Sequence, residues 1–127
     1  MLECLILGDE IAQGVSQYKP QCAVVAKAQI NSEDWKKVNS CLIQPAGYTI
    51  ISLGTNDSAT VITEWELQEI RNRIKTGRVF WIMPVVKNKV INLQNAVDMV
   101  AKLNGDTVIK TKQFSPQGYK SLAEQIK

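Results

Sequence analysis

No histidine occurs anywhere in the 127 residues of this sequence. Histidine is the commonest general base near neutral pH, so its absence excludes any ordinary Ser-His-Asp or Cys-His arrangement. Cysteine is scarce. Cys4, Cys22 and Cys41 are odd in number and lack a C-x-x-C spacing. That argues against zinc, and the three are read as buried or bystander thiols. Long apolar runs are missing too: none approaches the roughly 18 residues of a membrane span. Met1-Leu2-Glu3-Cys4 lacks the basic opening of a signal peptide, so the expected location is cytoplasmic. Charge of one sign is also lacking. With 15 basic and 12 acidic residues the net charge is +3, dispersed along the chain, and nucleic acid is not indicated.

What the chain does have is apolar content, 45% of its residues, enough for one packed core and a single domain over 1–127. Apolar runs short enough to be strands lie at 2–7, 22–26, 49–53, 79–83 and 107–109. Helical patterns alternate with them. One runs from Glu10 to about Tyr18, and one follows Ser32 as N-cap and carries Trp35 and Val38. A third starts at a Thr63…Glu66 capping box and has Leu67, Ile70 and Ile74 on its buried stripe. Asn92 is read as the cap of a fourth. Ser115-Pro116 opens the last, with Tyr119, Leu122, Ala123 and Ile126 on its apolar face. Residues 40–47 read as a loop, and Gly77 as the residue closing the third helix. Strictly alternating strands and helices predict a three-layer α/β/α fold with a five-stranded, mostly parallel sheet. The expected order is the flavodoxin-like 2-1-3-4-5. In that order the first and third strands are neighbours. Their carboxyl ends, Gly8-Asp9-Glu10 and Gly54-Thr55-Asn56-Asp57, then flank one crevice.

Three blocks carry a resemblance. Leu7-Gly8-Asp9-Glu10-Ile11-Ala12-Gln13-Gly14 is similar to a G-D-S opening that continues I-A-x-G. Gly54-Thr55-Asn56-Asp57 matches G-x-N-D outright. Phe114-Ser115-Pro116-Gln117-Gly118-Tyr119 resembles a closing D-x-x-H-P…G-Y block. In this order, and spanning nearly the whole chain, they resemble the SGNH hydrolase (GDSL-type esterase and lipase) superfamily. The resemblance implies its flavodoxin-like fold and assigns the family roles by position. Glu10 stands where the family has its nucleophilic Ser. Ser115 stands at its His, and Lys112 at its Asp. Gln29 is the best match for its oxyanion-hole Gly, and Asn56 retains its side-chain oxyanion donor.

These departures remove the chemistry. A nucleophile needs a neighbouring base, and a carboxylate at position 10 opposes a developing oxyanion. The domain is therefore expected to be a catalytically degenerate binding or structural protein, with no cofactor and no metal. The positions read as vestigial are Glu10, Gln29, Asn56, Lys112 and Ser115. The expected ligand-binding set is Asp9, Glu10, Asn56 and Asp57, facing a carbohydrate or acyl ligand, or else other protein subunits. Neither nucleic acid nor membrane is an expected partner. A virion or bacteriophage accessory role is the setting the resemblance suggests. The alternative is a hydrolase of an ester or glycan that works through Asp9, Glu10 and Asp57 as a carboxylate cluster. Such a cluster could also hold a hard divalent cation. Plainer roles exist for each residue: Asp9 and Asp57 as loop-shaping acceptors, Ser115 as a helix cap. Trp65 and Trp81 read as packing residues, and Trp35 is the aromatic expected nearest a pocket. Lys87, Lys89, Lys110 and Lys112 follow the fourth and fifth strands and can rim the same edge.

Overall fold

The structure is a computed structural model, and it describes residues 1–126. Strands and helices alternate from end to end. β1 (Leu2–Gly8) leads to α1 (Glu10–Ser16), and β2 (Ala23–Ala26) to α2 (Ser32–Asn39). A short 3-10 turn, Ser40–Leu42, precedes β3 (Ala46–Ser52). Then come α3 (Thr63–Asn72), β4 (Arg78–Ile82), α4 (Leu93–Leu103), β5 (Thr107–Ile109) and α5 (Pro116–Glu124). The five strands are all parallel, in the order β2-β1-β3-β4-β5. This is the predicted flavodoxin-like arrangement, with the switch point between β1 and β3.

The period-2 alternation of the strands builds two cores. Leu5 and Leu7 of β1, Ile51 of β3 and Trp81 of β4 point to one face and pack with Trp35, Leu67, Ile70, Val97 and Val100 of α2, α3 and α4. Cys4, Ile6, Ile50, Phe80 and Ile82 point to the other and pack with Ile11, Val15 and Leu122 of α1 and α5. Helices on both faces explain why β1 and β3 read as nearly continuous apolar runs.

Several local expectations are corrected. Cys4 and Cys22 are not bystander thiols: they form a disulfide between the first two strands. The register makes this possible, because Leu5 pairs with Ala23 and so sets the preceding residues side by side. Cys41 is free and exposed. β3 begins three residues before the predicted strand, because Ala46 and Tyr48 pair with Leu2 and Cys4. Asn31, not Ser32, caps α2, its Oδ1 accepting from Asp34 N at 2.7 Å. The capping box at Thr63 does not form: position 62 is the N-cap and makes no side-chain bond there. Gly77 is not a helix cap, since α3 ends at Asn72 with Arg73 as its C-cap. Its φ of +80° instead lets it pass where a Cβ would lie 2.3 Å from the Ala46 carbonyl. Trp65 is not packed but 59% exposed, lying off the Leu67–Ile70–Ile74 stripe. Trp35 is not at a pocket but in the core, its Nε1 donating to the Val25 carbonyl at 3.0 Å. Trp81 is buried as read, its Nε1 donating at 2.9 Å to Asp106, which also takes two bonds from Arg71.

Candidate functional site

The two loops flanking the switch point meet because Gly8 permits it. Its φ is +144°, and a Cβ there would lie 1.9 Å from the Ser52 carbonyl. The ends of β1 and β3 thus touch, and Asp9 N donates to that same carbonyl at 3.0 Å. Asp9 is fully buried and caps α1. Its Oδ1 accepts from the backbone N–H of Ile11 at 3.0 Å, that of Ala12 at 3.5 Å, and Ser52 Oγ at 3.1 Å. Oδ2 is buried with no hydrogen-bond partner among the described residues. Burial, then the neighbouring Glu10 charge, push the Asp9 carboxyl up to about 7 against those three bonds.

Glu10 projects from the first turn of α1 across the crevice. Its Oε1 accepts from Gln29 N at 2.8 Å and from Asn56 Nδ2 at 2.9 Å. The Asn56 amide is fully engaged: Nδ2 also donates to the Ile30 carbonyl at 3.2 Å, and Oδ1 accepts from Lys87 Nζ at 2.9 Å. Partial burial acts to raise the Glu10 carboxyl. The N–H of Gln29, its own backbone N–H, the Asn56 amide and the Lys87 charge outweigh it and hold Glu10 below the ordinary glutamate value. Gln29 has φ of +65°, a backbone state that favours glycine. Here the resemblance expects the oxyanion-hole glycine. That backbone aims the Gln29 N–H at Glu10. The Gln29 N–H and the Asn56 amide therefore converge, and what they hold is a carboxylate of the chain itself.

Asp57 is not at the crevice. It is fully buried, and its carboxylate accepts from Ser32 N at 2.7 Å, Ser32 Oγ at 2.6 Å and Thr63 Oγ1 at 2.7 Å. This ties the starts of α2 and α3 to the β3 loop. It also explains the lost capping box, for Thr63 spends its hydroxyl on Asp57 and Glu66 pairs with Lys36 of α2 at 2.9 Å. With Asp57 turned one way and Glu10 another, the three carboxylates do not form one cluster. Among the described residues no group of three or more His, Cys, Asp or Glu could hold a metal ion.

The closing block contributes differently from its motif. Ser115 caps α5, accepting from Gly118 N at 3.4 Å, and Lys112 is exposed. The residue that reaches the site is Tyr119. Its ring lies against Gly14, where a Cβ would come within 2.4 Å. Burial, then the charges of Glu10 and Asp9, raise its hydroxyl pKa. Tyr119 and Ser52 are site residues the sequence reading left in the core. The signals for them were the Gly118-Tyr119 pair of the closing block and a serine ending an otherwise apolar strand. Of the four lysines, Lys87 reaches the crevice. Beside Gln29 and Ile30 a cavity of about 630 Å³ runs along β2, lined also by Val24, Ala26, Asp34 and Val38.

The sheet order and the switch-point crevice define a flavodoxin-like α/β domain. Among solved structures it is similar to the crystal structure of a GDSL-like lipase from Bacteroides thetaiotaomicron VPI-5482. The TM-score is 0.57 at 14% identity, over 84% of this chain and 67% of that one. At that identity the likeness establishes a shared fold. No family model matches the chain, and no curated protein matches it.

Proposed function

We propose that this chain is a catalytically degenerate SGNH-hydrolase-like domain that works by binding or as a structural subunit. One observation carries the reading: Glu10 Oε1 occupies both donors, Gln29 N–H at 2.8 Å and Asn56 Nδ2 at 2.9 Å. An oxyanion site must be free to receive charge as it develops. Here it is already charged and filled. The absence of histidine and the exposed Lys112 at the family's Asp position support the same reading. The ligand it suits is a carbohydrate or acyl group laid along the β2 cavity, or a neighbouring subunit. For its setting, the Cys4–Cys22 bridge favours a virion-associated or other oxidising location over a reducing cytoplasm. No helix among the described residues is long and apolar enough to cross a membrane.

The competing carboxylate hydrolase draws support from one observation. Asp9 is pushed up to about 7 while neighbouring Glu10 is held low, the kind of separation that assigns an acid and a base. Access counts against it, because Asp9 is fully buried and Glu10 is tied by two donors. The test is hydrolysis of short-chain aryl esters and acetylated sugars by the natural chain and by Glu10→Gln. Both should be silent. Turnover by the natural chain that drops a hundredfold or more in Glu10→Gln establishes the competing mechanism instead.

A further inference from the structure

We infer that the Gln29 N–H, the Asn56 amide and the Lys87 ammonium form a preformed carboxylate-binding site whose resident ligand is the chain's own Glu10, and that the site takes a small free carboxylate once that side chain is removed. This deepens the non-catalytic reading and rests on it.

The donors come from three separate segments, each held by bonds other than those to Glu10. Gln29 is set by its left-handed backbone, with Ile30 N bonded back to the Lys27 carbonyl at 3.4 Å. Asn56 is pinned from behind by the Ile30 carbonyl and from the side by Lys87 Nζ. The loop carrying Lys87 is held in turn: Val85 N donates to Thr55 Oγ1 at 3.1 Å, and Asn88 Nδ2 to the Asp57 carbonyl at 3.2 Å. Removing the Glu10 side chain thus leaves two convergent N–H groups without an acceptor and a cation beside them. A donor stripped of its acceptor is satisfied by whichever acceptor fits, and bonds to an ionised oxygen are about twice as strong as neutral ones.

Charge around the site permits an anion. Asp9, Lys87 and the Tyr119 hydroxyl interact electrostatically with position 10, and Lys27 and Asp34 line the cavity beside Gln29. Burial, the larger cause of the raised Asp9 pKa, still favours its neutral form when Glu10 is removed, and the Tyr119 hydroxyl is neutral near pH 6. In the natural chain the tethered carboxylate has an effective concentration that excludes a dissolved competitor at ordinary levels. The natural chain is therefore closed to acetate, and Glu10 is what closes it.

The probe is acetate, titrated into 15N-labelled Glu10→Ala at about pH 6, where a carboxylic acid of ordinary pKa is ionised, with chloride holding ionic strength constant. The Gln29 backbone amide and the Asn56 side-chain amide should move together and saturate, with a dissociation constant on the order of 1–10 mM. Acetamide should bind at least about tenfold more weakly, since it lacks the charge that strengthens the bonds. Adding Lys87→Ala should weaken acetate several-fold. The natural chain should show no saturable shift. Unmoved Gln29 and Asn56 signals in Glu10→Ala overturn the proposal. So does acetamide binding as well as acetate, and so does an equal response from the natural chain. If Glu10→Ala does not fold, Glu10→Ser is judged by the same criteria. Ester turnover by the natural chain sinks the non-catalytic reading whatever acetate does. A silent natural chain with an unresponsive variant sinks this inference alone.

Discussion

Asp57→Ala is expected to destabilise the domain by roughly 3–5 kcal/mol, because it leaves several buried donors without an acceptor at once. Asp57 is fully buried and receives Ser32 N–H, Ser32 Oγ–H and Thr63 Oγ–H at 2.6–2.7 Å. Alanine supplies no acceptor for the three donors at the starts of α2 and α3. For a chain of this size the loss corresponds to a melting temperature lower by about 12–20 °C. Asp57→Asn keeps the shape and one acceptor oxygen, so its effect should be smaller, about 1–3 kcal/mol. The comparison also separates two roles for this residue. A solvent-facing ligand contact could be truncated with a change within about 0.5 kcal/mol. Thermal unfolding of the two variants decides it, and an Asp57→Ala shift of less than about 4 °C, near 1 kcal/mol, contradicts the structural role.

The second large effect is a pH dependence that Asp9→Asn should abolish. In the unfolded chain Asp9 titrates near its ordinary 3.8, but in the fold burial and the Glu10 charge raise it to about 7. Between those values the folded state binds more protons than the unfolded one. Stability therefore falls as pH rises: the contribution is fully present below the unfolded pKa and is gone once pH passes the folded pKa. The size is on the order of a few kcal/mol. Asparagine keeps an Oδ1 for Ile11 N and Ser52 Oγ and carries no charge. Urea unfolding of both chains should give similar midpoints near pH 3, below the unfolded Asp9 value of 3.8, and a growing advantage for Asp9→Asn toward pH 8. Other titrating groups are shared and cancel in the difference. Parallel curves across the range would mean that Asp9 ionises in the fold as it does in water.

These two aspartates mark how far the sequence could be read. The order of the strands was legible because five short apolar runs alternate with helical patterns, and parallel crossovers leave few arrangements. The crevice was legible because Gly8 and Gly54 end two of those runs at the switch point. Which acid faced it was not. Asp9, Glu10 and Asp57 look alike in sequence, yet one caps a helix, one crosses the crevice and one ties α2 to α3. That sorting depends on Ser32 and Thr63, whose hydroxyls read equally well as local caps. The Cys4–Cys22 bridge was hidden for a similar reason. Three cysteines permit three pairings, and only the β1–β2 register selects one. Position 10 shows the limit most clearly. The sequence indicated that a carboxylate there is hostile to an oxyanion. That the carboxylate binds the Gln29 and Asn56 donors follows from the left-handed backbone of Gln29, which a glutamine does not advertise.

Glu10 occupies the Gln29 and Asn56 donors at the switch-point crevice, and those donors can report on it directly. The measurement is a pH titration of the Gln29 backbone amide and the Asn56 side-chain amide by 15N–1H correlation spectra. Both signals should follow one common protonation lying below the ordinary glutamate value of 4.5, and that titration should vanish in Glu10→Gln. Signals that ignore Glu10, or that report a protonation at or above the ordinary value, would mean the carboxylate is free in solvent and the crevice stands open.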